Sequence, residues 1–255
     1  MSTLRKDTVL LTGASGGFGI EFAVQLEQLG YRLLLHGRDR ARLQMTLNVL
    51  KRPQDHKLIM AELSSRKFME DLIEEVKQEQ HLVGLINNAG FGLWGGFERS
   101  ESVPQLDVIR TDLLAPVAIT HALIPQLIRH HGFIINVSSL AGESPLPYMS
   151  TYAAAKAGLT YWSEALRAEL KGKIRVVTLA PGPSPTGFRK ISGAPTGKGG
   201  RFRSTAQTVV SAALETLKNG GGYCVPGIRH RLLWLLQKAV PRSLALNVMA
   251  RYLKP

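Results

Sequence analysis

The run TVLL (8–11) opens directly into TGASGGFG (12–19), and an amphipathic stretch, GIEFAVQLEQLG, follows. A strand that gives way to a glycine-rich turn and then to a helix strongly restricts what the first unit of the chain can be. Gly13 permits the sharp turn, Gly17 lets backbone approach a pyrophosphate, and Gly19 lets the helix pack closely on the strand. The amide groups at the helix start then face whatever anion lies in the turn. The glycine pattern carries this meaning only because of the strand before it and the helix after it.

The same alternation continues. RLLLH (32–36), KLIM (57–60), LVGLIN (82–87), GFIINVS (132–138) and IRVVTLA (174–180) are short apolar runs that read as buried strands. Helical periodicity separates them, in RARLQMTLNVL (40–50), SRKFMEDLIEEVKQ (65–78), and near 102–130, 150–171 and 204–218. This order predicts an α/β chain: a Rossmann-type, doubly wound parallel sheet in a three-layer α/β/α arrangement. No internal linker or repeat interrupts it. One domain is expected over residues 1–227, with residues 228–255 as a basic amphipathic tail.

Charge narrows the function classes. The formal net charge of +13 suggests nucleic acid until it is located. Residues 189–203 hold five Lys/Arg and no acid, and residues 228–255 hold six and no acid, so the rest is close to neutral. A general nucleic-acid face is not expected. The lone Cys224 fits a reducing compartment, and no apolar run resembles a signal peptide or a spanning helix, so a cytoplasmic location is expected. No metal-ligand spacing is evident, and His130 and His131 are placed at a helix C-terminus.

In STYAAAKAGL (150–159), Tyr152 and Lys156 lie one helical turn apart on one face. Ala153, Ala154 and Ala155 leave room beside them for a flat ligand. Five motifs then stand in order: TGASGGFG, NNAG (87–90), NVSS (136–139), YAAAK (152–156) and PGPSPT (181–186). Over about residues 6–225 the chain resembles the short-chain dehydrogenases/reductases, in their shorter, single-domain branch.

The resemblance implies a hydride transfer between a nicotinamide and a carbonyl or alcohol carbon. It gives Tyr152 the role of general acid/base, Lys156 that of lowering the Tyr pKa and holding the nicotinamide ribose, and Ser139 that of binding the substrate oxygen, with Ser138 second. Cofactor contacts are implied for Gly13, Ser15, Gly17, Phe18, Gly19, Asn88, Ala89, Gly90, Tyr152, Lys156, Pro181, Gly182 and Thr186, and Asn87 is expected beside them. Glu62 stands where relatives carry Asp near the adenine. Asp112 stands where they carry the Asn of the proton relay, so it joins the catalytic set as a departure. The rival class is a dinucleotide-binding regulatory or scaffold protein with little turnover.

An Asp at the end of the second strand would hold the ribose 2′-hydroxyl of NAD. Here that place is Gly37, with Arg38 beside it, a fork suited to a 2′-phosphate, so NADP(H) is preferred with NAD(H) as the alternative. Phe91, Leu93, Trp94, Leu146, Tyr148 and Met149 suggest an apolar pocket for a small-molecule carbonyl or alcohol substrate, such as an apolar ketone or a 3-oxoacyl group. The basic loop 189–203 matches the family's mobile substrate cover. A homo-oligomer is implied by the resemblance. For the tail, two roles are open: packing over the pocket or on another subunit, and peripheral contact with an anionic membrane.

Overall fold

The computed structural model describes residues 7–194 and 203–254. Among them, seven strands form one parallel sheet: β1 (Thr8–Leu11), β2 (Arg32–Gly37), β3 (Lys57–Met60), β4 (Leu82–Asn87), β5 (Phe133–Val137), β6 (Arg175–Leu179) and β7 (Gly222–Cys224). Their order is β3-β2-β1-β4-β5-β6-β7, so the direction of winding reverses between β1 and β4. The five apolar runs and TVLL are strands as expected, and β7 completes the far edge beside β6.

Alternation along each strand sends side chains to two cores. On one face Val9, Leu11, Leu33, Leu35 and Ile135 meet α1 (Gly17–Gln28), α2 (Arg40–Asn48) and α8 (Ala206–Lys218). On the other, Leu10, Leu34, Leu85, Ile134 and Val176 meet α3 (Arg66–Lys77), α5 (Ala115–Arg129) and α6 (Ser150–Glu169). Each fully buried leucine is worth about 1.5–3 kcal/mol, so covering both faces is what makes the short strands stable.

The helical stretch near 102–130 is not uniform. α4 (Ser102–Ile109) passes through a π turn, Arg110–Leu114, before α5 begins. The 28-residue rod is long and apolar enough to cross a membrane by composition alone, yet Ile119, Leu123 and Leu127 are core residues of the second face. A short α7 (Phe188–Ser192) opens the basic loop, of which residues 195–202 lie outside the described residues. The tail forms α9 (Ile228–Ala239) and α10 (Arg242–Leu253).

Candidate active site

At the C-terminal edge of the sheet, where the strand order reverses, lies a cavity of about 790 Å³. The glycine turn forms its floor. Thr12 ties the turn to β4: its hydroxyl donates to the Ile86 carbonyl and accepts from the amides of Asn88 (3.0 Å) and Ala89 (3.1 Å). The Asn88 amide group donates back to the carbonyls of Thr12 (2.9 Å) and Gly13 (3.0 Å). A β-carbon at Gly17 would stand 2.8 Å from the Thr186 methyl, so only glycine leaves a gap between the start of α1 and the loop after β6. Such a gap, beside a helix N-terminus, suits a pyrophosphate.

Gly13, Ser15, Gly17, Phe18, Ala89, Gly90, Asn88, Pro181, Gly182 and Thr186 all line this cavity. Gly19 does not; it packs under the turn against Gly13 and Ala14. Asn87 is also away from the wall, which corrects the expectation for it. As the last residue of β4 it points inward, donating to Thr120 (3.1 Å) and to Asn136 (2.8 Å) in the core.

At the end of β2, Gly37 leaves the position free of an acid, and Arg38 reaches the cavity. Arg38 Nη1 lies 3.2 Å from Glu62 Oε2, and its guanidinium sits 5.9 Å from the Phe91 ring centre. This ion pair is largely exposed, so it holds Arg38 only weakly. A second cation, which sequence reasoning missed, joins it: Arg42 Nη2 donates to the Ser15 carbonyl at 3.2 Å. Asp39 caps α2 through the Arg42 amide, which sets the direction in which that helix carries Arg42.

Around α6 the Ser, Tyr and Lys converge. Ser139 and Tyr152 both line the cavity, and the Ser139 hydroxyl accepts from the Ala141 amide at 3.1 Å. Ser138 is not its equal: buried, it donates to the Lys156 carbonyl (2.9 Å) and pairs with Thr160 (2.6 Å), a packing role. Lys156 Nζ donates to the Val137 carbonyl at 2.9 Å and lies 3.1 Å from Asp112 Oδ2. It stands 5.8 Å from the Tyr152 ring centre.

Asp112 sits in the π turn, fully buried behind Lys156 and off the cavity wall. Its Oδ1 accepts from the Phe91 amide at 3.0 Å. A β-carbon at Gly90 would lie 2.7 Å from Oδ2, so the glycine makes room for the carboxylate. Burial pushes the Asp112 carboxyl above its ordinary range, against the pull of Lys156 and the Phe91 amide. The Tyr152 phenol is held well above its ordinary value, by burial first and by the Asp112 charge second, while Ser139 acts the other way. The arrangement therefore presents a protonated phenol.

The far end of the cavity is apolar. Phe91, Trp94, Leu146 and Met149 line it as expected, whereas Leu93 faces a smaller neighbouring cavity. Tyr148 is off the wall, with a left-handed φ of 64° and its carbonyl accepting from the Gly95 amide. Phe188 of α7 tilts against Tyr152 with ring centres 5.1 Å apart. Met249, Tyr252 and Leu253 of α10 close the wall, so the tail packs on the pocket. No local signal ties these tail residues to the site beyond their spacing on one helix face.

Comparison with known proteins agrees with this geometry. The short chain dehydrogenase family model matches residues 7–195. The chain is 34% identical over 226 residues to the ketoacyl reductase HetN of Nostoc sp., covering 86% of this chain and 78% of that one. It is 28% identical over 253 residues to the very-long-chain 3-oxoacyl-CoA reductase of Anas platyrhynchos, with coverages of 95% and 78%. A short-chain dehydrogenase from Sphingobium yanoikuyae, solved in complex with NADPH, superposes with a TM-score of 0.82 at 25% identity, over 94% of this chain and 95% of that one.

Proposed function

The chain belongs to the short-chain dehydrogenase/reductase family, oxidoreductases of carbonyl and alcohol groups that use a nicotinamide dinucleotide, and we propose that within it the protein is an NADPH-dependent reductase of apolar ketones or 3-oxoacyl-type carbonyls. The observation that carries this reading is the convergence of Ser139, Tyr152 and Lys156 on one cavity that is polar at one end and apolar at the other.

When bound, the nicotinamide supplies the hydride. The chain's own groups do the rest. Gly17 and the start of α1 would hold the pyrophosphate, and Arg38 with Arg42 would meet a 2′-phosphate. Lys156 would orient the nicotinamide ribose. Ser139 donates to the substrate oxygen as negative charge develops there. Tyr152, protonated near neutral pH, delivers its proton to that oxygen. The names of HetN and of the very-long-chain reductase favour 3-oxoacyl substrates within this class. The test is the loss of NADPH fluorescence against a panel of ketones and 3-oxoacyl thioesters, with NADH in parallel. Turnover of a 3-oxoacyl thioester or long ketone with NADPH is expected, and turnover of neither refutes the reading.

A second reading, a dinucleotide-binding regulator with little turnover, rests on Asp112, whose carboxylate competes for the Lys156 ammonium. Tight NADPH binding without turnover across that panel would favour it. We further place the protein in the cytoplasm as a homo-oligomer. Exposed Val103, Leu106 and Leu114 recur along the α4–α5 rod, an apolar stripe suited to a second copy. On the tail, Ile228, Leu232, Leu235, Leu244 and Val248 face outward among basic residues, the chemistry for transient contact with anionic lipid. Flotation with anionic vesicles at low salt tests that contact, and protein left wholly in the soluble fraction refutes it.

A further inference from the structure

Glu143 closes the turn that begins at Ser139, and its carboxylate is shared between two distant elements. The Tyr223 hydroxyl on β7 donates to Oε1 at 2.5 Å, and the Trp234 indole N–H on α9 donates to Oε2 at 2.8 Å. The two rings stack, with centres 5.4 Å apart and planes 25° from parallel. One acidic side chain thus joins the loop that carries Ser139, the edge of the sheet and the first tail helix. Arg231 reinforces the start of α9 by donating to the Val225 carbonyl at 2.9 Å, and buried His230 lies 3.2 Å from the Pro226 carbonyl.

The two tail helices turn different faces inward. On α9, His230 and Trp234 are one turn apart and face the body, while Ile228, Leu232 and Leu235 face out. On α10, Ala245, Met249 and Leu253 recur at four-residue spacing on the less exposed side, and Met249 and Leu253 reach the cavity. The wall opposite includes Leu146 and Phe188, so an apolar slot runs outward from Tyr152.

We propose that the α9–α10 hairpin is the specificity wall for a long apolar substrate chain, and that Glu143 is the positioning residue that seats it. This rests on the reading of the protein as a carbonyl reductase and names the part of the substrate that reading leaves open. A short ketone meets only Ser139 and Tyr152. A long one also lies against Met249 and Leu253, and its binding depends on the clasp. Gln at 143 keeps the clasp, because its oxygen accepts from Trp234 while its amide donates to the Tyr223 oxygen. Ala removes it.

The experiment uses the full chain with a short ketone, acetone, and a long-chain methyl ketone. Steady-state kinetics are combined with calorimetric binding of the long ketone in the presence of NADP⁺. Glu143→Ala and Met249→Ala are expected to weaken long-ketone binding and raise its KM at least about tenfold, with acetone kcat/KM changed less than about threefold. Glu143→Gln is expected to behave as the parent protein. Circular dichroism establishes that each variant is folded, and Met249→Ala tests the wall without touching the Ser139 loop. Unchanged long-ketone affinity in Met249→Ala overturns the wall. An equal loss on both ketones in Glu143→Ala overturns the positioning role, since the clasp would then act only on Ser139. Long-ketone binding that responds as expected while no ketone is reduced supports the wall and refutes the reductase reading.

Discussion

Asp112 Oδ2 lies 3.1 Å from Lys156 Nζ, and both side chains are shut away from solvent. The Lys156 ammonium also donates to the Val137 carbonyl, so one hydrogen bond and one ion pair hold it behind Tyr152. An Asn here would leave the ammonium facing the phenol without a competing anion. Burial first, and the Asp112 charge second, hold the Tyr152 phenol above its ordinary value, so it is protonated near neutral pH.

The pH dependence follows from that pairing. A nearby negative charge raises a phenol's pKa, so Asp112→Asn should lower that of Tyr152. The rising limb of alcohol oxidation, which reports formation of the Tyr152 phenolate, is expected to move down by about one pH unit. Neutral-pH reduction should change less than about tenfold. A pH–rate profile in the oxidative direction checks this, and a limb that does not move would remove Asp112 from the account.

Cofactor choice is the next test. Arg38→Ala should weaken NADPH about tenfold or more relative to NADH, and adding Arg42→Ala should extend the loss. Fluorescence titration of both cofactors measures it. Equal losses would mean that the two arginines do not meet a 2′-phosphate.

The site was legible where local rules suffice. The glycine turn, the strand runs and the Tyr152–Lys156 spacing depend on neighbours a few residues away, and the fold follows from their order. Asn87 shows the limit: whether the end of β4 points at the cavity or the core turns on a single residue of register. Asp112 shows another. Its pairing with Lys156 depends on a π turn inside an otherwise regular helical pattern, which no periodicity count reveals. The Arg42 contact and the tail's place on the pocket arise from long-range packing. Glu143 and Trp234, for example, are 91 residues apart.

Stability offers a prediction away from the cavity. Buried Glu27 accepts from the amides of Lys51 (2.9 Å) and Arg52 (2.7 Å) and from His56 Nε2 (3.2 Å). The hydrogen on Nε2 is assigned by the other ring nitrogen, which accepts from the Leu33 amide. Burial raises the Glu27 carboxyl pKa, but these donors outweigh it and hold the value below the ordinary one of 4.5. The carboxylate therefore stabilises the fold above the ordinary Glu range, and that contribution fades as pH falls through the depressed value. Glu27→Gln should cost about 1–3 kcal/mol near neutral pH, with the two proteins converging in acid. Urea unfolding at several pH values measures this, and a constant difference across the range would contradict it.

In the proposed reaction, Tyr152 would give its proton to a carbonyl reduced by a bound nicotinamide. The direct measurement is single-turnover reduction by Tyr152→Phe, pre-loaded with NADPH, on the best ketone or thioester of the panel. Removing the hydroxyl leaves the ring packed against Phe188, so NADPH affinity should stay within about threefold while the chemical step slows by about 10²–10⁴-fold. A variant that binds NADPH normally and retains more than about a tenth of the parent rate would contradict the claim.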